Sequence, residues 1–221
     1  MKKISFVIFM LCLTITGAFA QEQISISRFQ GQKITGIEAH GIFCITAKQG
    51  NATGVTVNIP ARLEKQLVLK LDPAGKLHIY IEGKITTKNK RNNDDDRFTA
   101  EITFTSLDNV ELTGVCKLET IGDFTTTKLQ VDLSGASKML VGGDFLAKEK
   151  LDIELSGASN LKGQMTSPES TFDISGASNL SLKGNTVHCK MEVSGASKAN
   201  LEDFPINELK AEVSGAAGYH R

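Results

Sequence analysis

Short stretches in the second half of the chain alternate apolar and polar residues, and each stretch ends at a Ser-Gly pair. Five of them occupy residues 129–133, 151–155, 170–174, 189–193 and 209–213, and residues 109–112 fit the same frame. A period of two is typical of a β-strand with one buried face. We therefore predict one strand in each stretch, with its apolar side chains in a core.

The Ser-Gly pairs belong to a repeated four-residue word. Residues 134–137, 156–159, 175–178 and 194–197 read Ser-Gly-Ala-Ser, 214–217 read Ser-Gly-Ala-Ala, and Thr113-Gly114-Val115-Cys116 is a weaker copy. The first residues are 21, 22, 19, 19 and 20 positions apart. A period near 20 residues is typical of a solenoid, and each repeat is too short for a four-stranded propeller blade.

Each repeat continues with a second short apolar stretch and then a glycine followed by a polar residue. These turn signals are Gly122-Asp123, Gly143-Asp144, Gly163-Gln164 and Gly184-Asn185. One repeat is thus predicted to be a strand, a Ser-Gly corner, a short strand, a turn and a connector. Because no helical pattern intervenes, the sequence predicts an all-β fold, a parallel β-helix with coils of about 20 residues.

The corner serines are interpreted as structural. Glycine adopts backbone angles that a side chain forbids and lets neighbouring coils approach closely, while serine bonds nearby backbone groups at a bend. A nucleophilic serine is activated by one local base. Five equivalent serines therefore predict no catalytic residue among them.

The chain divides into three parts. Residues 1–20 carry two lysines, an apolar run and small residues before Ala20, which predicts a signal peptide and export. Residues 21–105 lack the repeated word and are predicted to form irregular β coils or a cap. Residues 106–221 are predicted to form the regular β-helix.

Several strands are predicted in the part before the repeats. The candidates are residues 34–46, 55–59, 67–71 and 77–81. The polar stretch from Thr86 to Arg97 is predicted to be a solvated loop. Its Asp94-Asp95-Asp96 run lacks the alternate spacing and glycine of an EF-hand loop, so we assign neither a metal site nor a cofactor.

Composition narrows the classes of function. Without residues 1–20 the chain has 23 basic and 25 acidic side chains, and it contains no tryptophan. This balance argues against a nucleic-acid partner, which favours a basic surface. No later segment is long and apolar enough for a transmembrane helix.

Cys44, Cys116 and Cys189 cannot all pair within one chain, and we expect them to be small buried residues.

One polar position is acidic in every repeat. The residue before the last apolar residue of each strand is Glu111, Asp132, Glu154, Asp173, Glu192 or Glu212. Strands stacked in register would place these six carboxylates in a column on the outside of the coils. Such a column is either a solvated face that discourages aggregation or a surface that binds a cation or a cationic partner.

The chain resembles the putative auto-transporter adhesins with a head GIN domain, a family of exported bacterial proteins. The resemblance rests on Arg28-Phe29, Ile34 to Ile37, Gly41 to Ile45 and Gln49-Gly50, followed by the tandem Ser-Gly-Ala-Ser words, and it covers about residues 26–217. It implies a right-handed β-helix similar to that of pectin lyases and a role in adhesion. No catalytic residue set comes with it.

Three functions are compatible with these observations. The first is an exported, non-catalytic binding protein or adhesin of the cell envelope or surface, periplasmic or secreted, with an unknown protein or glycan ligand. The second is a lyase-like enzyme acting on polysaccharides, for which Lys138, Lys190, Lys198 and Lys210 are the available bases. The third is a structural subunit that assembles through the open edge of its last coil near Val213. The oligomeric state is not predicted.

Overall fold

The computed structural model describes residues 23–83 and 98–221, which form sixteen strands and one 3-10 helix. The strands are β1 (Gln23–Arg28), β2 (Gly36–Gly41), β3 (Phe43–Gln49), β4 (Gly54–Pro60), β5 (Leu67–Leu71), β6 (Lys76–Ile81), β7 (Phe98–Phe104), β8 (Asn109–Gly114), β9 (Lys117–Ile121), β10 (Phe124–Leu133), β11 (Lys138–Leu155), β12 (Asn160–Ile174), β13 (Asn179–Val193), β14 (Lys198–Asp203), β15 (Ile206–Val213) and β16 (Gly218–His220). The 3-10 helix is Ala61–Gln66. The predicted signal peptide, the loop from Thr86 and the Asp94-Asp95-Asp96 run lie outside the described residues.

The strands stack as a parallel β-helix, which confirms the predicted fold class. Face 1 consists of the strands that lead into the corner glycines, and its order is β5, β6, β2, β8, β10, β11, β12, β13, β15. Face 2 consists of the strands that follow the corners, in the order β1, β4, β7, β3, β9, β11, β12, β13, β14, β16. Three antiparallel pairs occur among the described strands, and they lie at the N-terminal end: β1 with β4, β4 with β7 and β5 with β6.

Each regular coil has a third face that the sequence prediction missed. In β10, Phe124 pairs with Phe145 of β11, and Phe145 pairs in turn with Met165 of β12. The prediction treated this stretch as a turn and connector. The backbone instead remains extended, and β11 bends twice at register shifts after Leu140 and Leu146. Face 3 is the set of these middle segments of β10, β11, β12 and β13.

The N-terminal part contributes strands to the same ladders. The predicted strand 34–46 is wrong as a single element, because the chain turns at Gly41, where φ is 108°, and divides into β2 and β3. Strand β2 pairs in parallel with β8, and β3 pairs in parallel with β9. The other three candidates correspond to β4, β5 and β6.

The core runs along the inside of the coils. In the face 1 ladder, Leu129, Leu151 and Cys189 occupy one inward position and are all at least 96% buried. On face 3 the rings of Phe124 and Phe145 stack with centroids 5.4 Å apart and planes 8° apart. Removing this apolar surface from water favours the stacked coils over isolated ones, which cannot fold alone.

The three cysteines within the described residues are unpaired, and two of them are buried. Cys116 and Cys189 are buried free thiols, as expected. The expectation is wrong for Cys44, which is exposed. Its neighbours Phe43 and Ile45 take the inward positions of β3, so the alternation of the strand turns Cys44 outward.

Candidate functional site

The six predicted carboxylates form one column on the outside of face 1. Strand pairing places Glu111 beside Asp132, then Glu154, Asp173, Glu192 and Glu212 in consecutive coils. Their sequence neighbours on both sides in β8 and β10 to β13 are buried, so the acidic side chains face solvent. Adjacent coils of a β-ladder are about 4.8 Å apart, which keeps neighbouring carboxylates close.

The column has a seventh member, Glu38, which the sequence analysis did not find. Glu38 pairs with Glu111 in the ladder between β2 and β8. The sequence does contain a pattern that predicts this position. Ile37-Glu38-Ala39 alternates apolar and polar residues before Gly41, as the later strands do before their corner glycines. The signal is hidden by the strands inserted between this coil and the next. We call the seven residues the acidic column.

One lysine and two histidines contact the N-terminal end of the acidic column. The two carboxylate oxygens of Glu38 lie 2.7 Å from His40 Nε2 and 3.0 Å from His78 Nδ1. The ammonium of Lys76 donates to Glu111 at 2.6 Å and lies 3.4 Å from Glu38. The hydrogen bond from His40 is the main cause that lowers the pKa of Glu38.

A turn before β6 holds these basic residues in place. Asp72 Oδ1 accepts hydrogen bonds from the backbone N–H groups of Ala74 at 2.9 Å and Lys76 at 2.8 Å. The bond from the Lys76 backbone is the main cause that lowers the pKa of Asp72. Asp72 Oδ2 also lies 3.5 Å from His78 Nε2. The turn therefore fixes both Lys76 and His78 beside the column.

Within the described residues, the middle of the column takes part in no salt bridge. Among the described residues, no basic group lies within 4 Å of the carboxylates of Asp132, Glu154 or Asp173, which sit on three consecutive coils. Partial burial, followed by repulsion from Glu111, raises the pKa of Asp132. Repulsion from Asp132 is the main cause that raises the pKa of Glu154. This segment therefore carries concentrated negative charge.

Hydroxyl groups border the column at the corner. They belong to Thr113, Ser134, Ser156, Ser175, Ser194 and Ser214, one from each coil. Thr113 Oγ1 and Ser134 Oγ are 3.0 Å apart, and the Ser175 hydroxyl donates to the Leu155 carbonyl at 3.3 Å. These contacts lie within the ladder, in agreement with the structural interpretation of the serines.

The lysines considered as catalytic bases are dispersed. Lys138 and Lys198 lie on face 2, whereas Lys190 and Lys210 lie side by side on face 1. Lys190 donates to Glu192 at 2.7 Å, and this hydrogen bond raises the pKa of the ammonium. A raised pKa keeps the amine protonated at neutral pH, which makes Lys190 a poor general base.

Neither a metal cluster nor a membrane-spanning helix is found in the part of the chain that the structure describes. Within residues 23–83 and 98–221, no three His, Cys, Asp or Glu side chains are grouped as metal ligands. In the same residues no helix has the length and hydropathy needed to cross a membrane.

Several solved bacterial structures have a similar fold. A putative adhesin from Parabacteroides distasonis ATCC 8503 aligns with a TM-score of 0.69 and 16% identity, over 90% of this chain and 81% of that chain. A putative adhesin from Bacteroides fragilis NCTC 9343 aligns with a TM-score of 0.63 and 14% identity, over 90% and 96%. A putative lipid binding protein from Parabacteroides distasonis ATCC 8503 aligns with a TM-score of 0.53 and 15% identity, over 89% and 95%. At such identities the likeness concerns the fold.

Sequence comparison gives the family. No curated protein matches the chain with significant similarity. The family model described as putative auto-transporter adhesin, head GIN domain, matches residues 33–220, which include β2 to β16. The chain therefore belongs to the family of putative auto-transporter adhesins with a head GIN domain.

Proposed function

We propose that this protein is an exported, non-catalytic binding protein of the bacterial cell envelope or surface. The observation that carries the proposal is the match of residues 33–220 to an adhesin family. The signal peptide predicted for residues 1–20 supports export to the periplasm, the cell surface or the medium. The ligand is a protein or a glycan.

The acidic column is the recognition surface in this proposal. It lies on a rigid ladder, and carboxylates on such a ladder are held in place before a partner arrives, which reduces the entropy lost on binding. Asp132, Glu154 and Asp173 are its unpaired centre. A surface of this kind favours a cationic group of the ligand, because opposite charges steer encounter and fix register.

Two observations favour binding over the lyase-like alternative. Lys190 donates to Glu192 at 2.7 Å, and this contact raises the pKa of the amine, whereas a lysine needs a lowered pKa to act as a base at neutral pH. The corner serines occupy equivalent positions, and the hydroxyls of Ser134 and Ser175 bond within the ladder, so none is singled out for nucleophilic attack. The proposal therefore assigns no catalytic residue and no cofactor.

The test compares binding and turnover with one preparation. Residues 21–221 are applied to a glycan array and to an envelope-protein pull-down, and are then incubated with acidic and neutral polysaccharides. We expect retention of a ligand without release of unsaturated or reducing ends. Turnover that is abolished by substituting a single Lys or Asp would replace this proposal with the enzymatic one.

A further inference from the structure

The last coil leaves one end of the core open. Among the described strands, β15 pairs only with β13, and β16 pairs only with β14. Val213 is 46% exposed, whereas Val193, in the same position one coil earlier, is 1% exposed. Tyr219 is 37% exposed beside Ala199 at 0%. One further layer of strands would cover these side chains.

The open edge also presents unpaired backbone groups. The N–H of Ser214 donates to the Val193 carbonyl at 3.0 Å, so Ser214 and the alternate residues before it point their backbone groups toward the previous coil. The backbone groups of Leu209, Ala211 and Val213 consequently point outward from the end. This alternation changes before Glu208, because the Pro205 carbonyl accepts from the Thr186 N–H of the previous coil and the Ile206 carbonyl accepts from the Arg221 guanidinium. The free edge therefore runs from Leu209 to Val213.

The charges on this edge are self-complementary. Lys210 and Glu212 are exposed, flank Ala211, and have no ion-pair partner within the described ranges. We propose that this edge binds a second copy of the chain, with β15 pairing antiparallel to β15 of the partner about a two-fold axis at Ala211. Each Lys210 then faces the partner's Glu212, which gives two cross-strand ion pairs.

This register agrees with the backbone geometry. Ala211 meets the Ala211 of the second copy, and Leu209 meets its Val213, as hydrogen-bonded pairs that use the free groups of the edge. Lys210 and Glu212 then form non-hydrogen-bonded pairs, in which opposite side chains are closest. Moving the axis by one residue is unfavourable, because it places Lys210 against Lys210 or Glu212 against Glu212.

The resulting assembly is closed. A two-fold axis uses the same edge on both copies, so the edge from Leu209 to Val213 is occupied in each copy. The other end of the coils carries the antiparallel strands β1, β4 and β5. The proposal therefore replaces end-to-end growth with a dimer joined at the C-terminal coils, and it does not depend on the nature of the ligand.

Sedimentation velocity of residues 21–221 tests the assembly. The runs use a reducing buffer, because the exposed Cys44 thiol could otherwise cross-link copies. We expect a monomer–dimer equilibrium between micromolar and millimolar protein, without larger species. A monomer throughout that range, or growth into polymers, would overturn the proposal.

Charge variants test the register. In K210E and in E212K, positions 210 and 212 carry charges of the same sign, so like charges face each other across the axis. Each variant alone should therefore dimerise at least about tenfold more weakly than wild type. An equimolar mixture of the two variants pairs opposite charges again and should recover the dimer. K162E and E169K, on β12 away from the edge, are matched controls that should leave the equilibrium unchanged.

Thermal melts followed by circular dichroism accompany these runs. Both edge side chains are exposed, so the monomers of K210E and E212K should keep the folded spectrum. Recovery of the dimer only in the mixture supports the axis at Ala211. A dimer that is equally strong in wild type and in both single variants would place the contact elsewhere and overturn the proposal.

Discussion

Gly176 stacks on Gly157 so closely that a Cβ added at Gly176 would lie 2.5 Å from the Gly157 carbonyl oxygen. The same oxygen accepts a hydrogen bond from the Ala177 N–H at 2.7 Å. Gly176 also has a φ of 75°, which lies in the left-handed region. The corner therefore requires glycine both for its backbone angle and for the close approach of two coils.

Alanine substitutions at Gly176 and at Gly122 separate the requirement for the backbone angle from the requirement for close approach. Gly122 has a φ of 76°, and a Cβ there would meet no atom within 4 Å. We expect Gly122→Ala to lower the free energy of unfolding by about 1 kcal/mol. Gly176→Ala should lower it by more than about 3 kcal/mol, because the stacked coils must also move apart.

Denaturant unfolding of the two alanine variants measures this difference. Gly176→Val should be more severe still and leave the protein unfolded or with a melting temperature many degrees lower. Equal stability losses in Gly176→Ala and Gly122→Ala would show that the close contact between the corners is absent.

Neutralising the centre of the acidic column should stabilise the fold. Asp132→Asn with Glu154→Gln removes repulsion between neighbouring carboxylates, each pair of which is worth up to about 0.9 kcal/mol in water. Added salt should reduce the gain, because salt screens exposed charges. Thermal melts at low and high ionic strength measure the change, with the exposed Glu202→Gln as a control of equal chemistry.

The gain should also depend on pH. The pKa of Asp132 is raised above its ordinary 3.8, and the pKa of Glu154 is raised above its ordinary 4.5. At a pH just above these ordinary values, the folded state therefore binds more protons than the unfolded state. Wild-type stability therefore falls as pH rises through this window, and the penalty persists at neutral pH. The advantage of the double variant should disappear below about pH 4. A destabilised double variant would mean that these carboxylates form structural bonds.

Glu38 should behave in the opposite way. Its pKa is lowered, mainly by the hydrogen bond from His40, so its stabilising effect is present above the ordinary 4.5 and is lost as pH falls through the folded value. Glu38→Gln should reduce stability at pH 7 by on the order of 1 kcal/mol. Unfolding curves from pH 3 to pH 7 check this, and a difference that grows toward acid pH would refute it.

The thiols should differ sharply in reactivity. Burial raises the pKa of Cys189 to about 11 and also raises that of Cys116, whereas Cys44 is exposed. Since the thiolate is the reactive form, native residues 21–221 should label quickly at one site and slowly at two. Cys44→Ser should abolish the fast phase, and denaturant should release the others. Fast native labelling of Cys189 would contradict the register of β13.

The repeats made most of the ladder predictable. Each corner requires a glycine, both for its backbone angle and for the close contact between coils. The Ser-Gly word therefore occurs in every regular coil and marks the register of face 1. Glu38 was not predicted as a member of the acidic column, because β4 to β7 lie between Gly41 and Gly114 and interrupt the 20-residue spacing. Cys44 could have been placed outward, since Phe43 and Ile45 already define the inward positions.

The strand segments of face 3 were not predicted from the sequence, because polar residues occupy some of their inward positions. Thr126, Ser167 and Thr186 are at least 95% buried, where an alternating pattern would place apolar side chains. The hydroxyls of Ser167 and Thr186 donate to backbone carbonyls two residues ahead, at 2.7 Å and 3.3 Å, and the Thr126 hydroxyl donates to the Asp108 carboxylate. Such local bonds satisfy a buried hydroxyl, so the core tolerates it, but they erase the hydrophobic period on which the strand prediction depends.

The acidic column as a binding surface is tested most directly by a pair of triple variants. Asp132→Asn, Glu154→Gln and Asp173→Asn remove three charges from the column, and Glu101→Gln, Glu169→Gln and Glu202→Gln remove three exposed charges elsewhere. Both are compared with wild type on the same glycan array and on immobilised oligolysine peptides. We predict binding by wild type and by the second variant, with at least a tenfold loss in the first. Equal binding by all three proteins would contradict the account and leave the column as a solvated face.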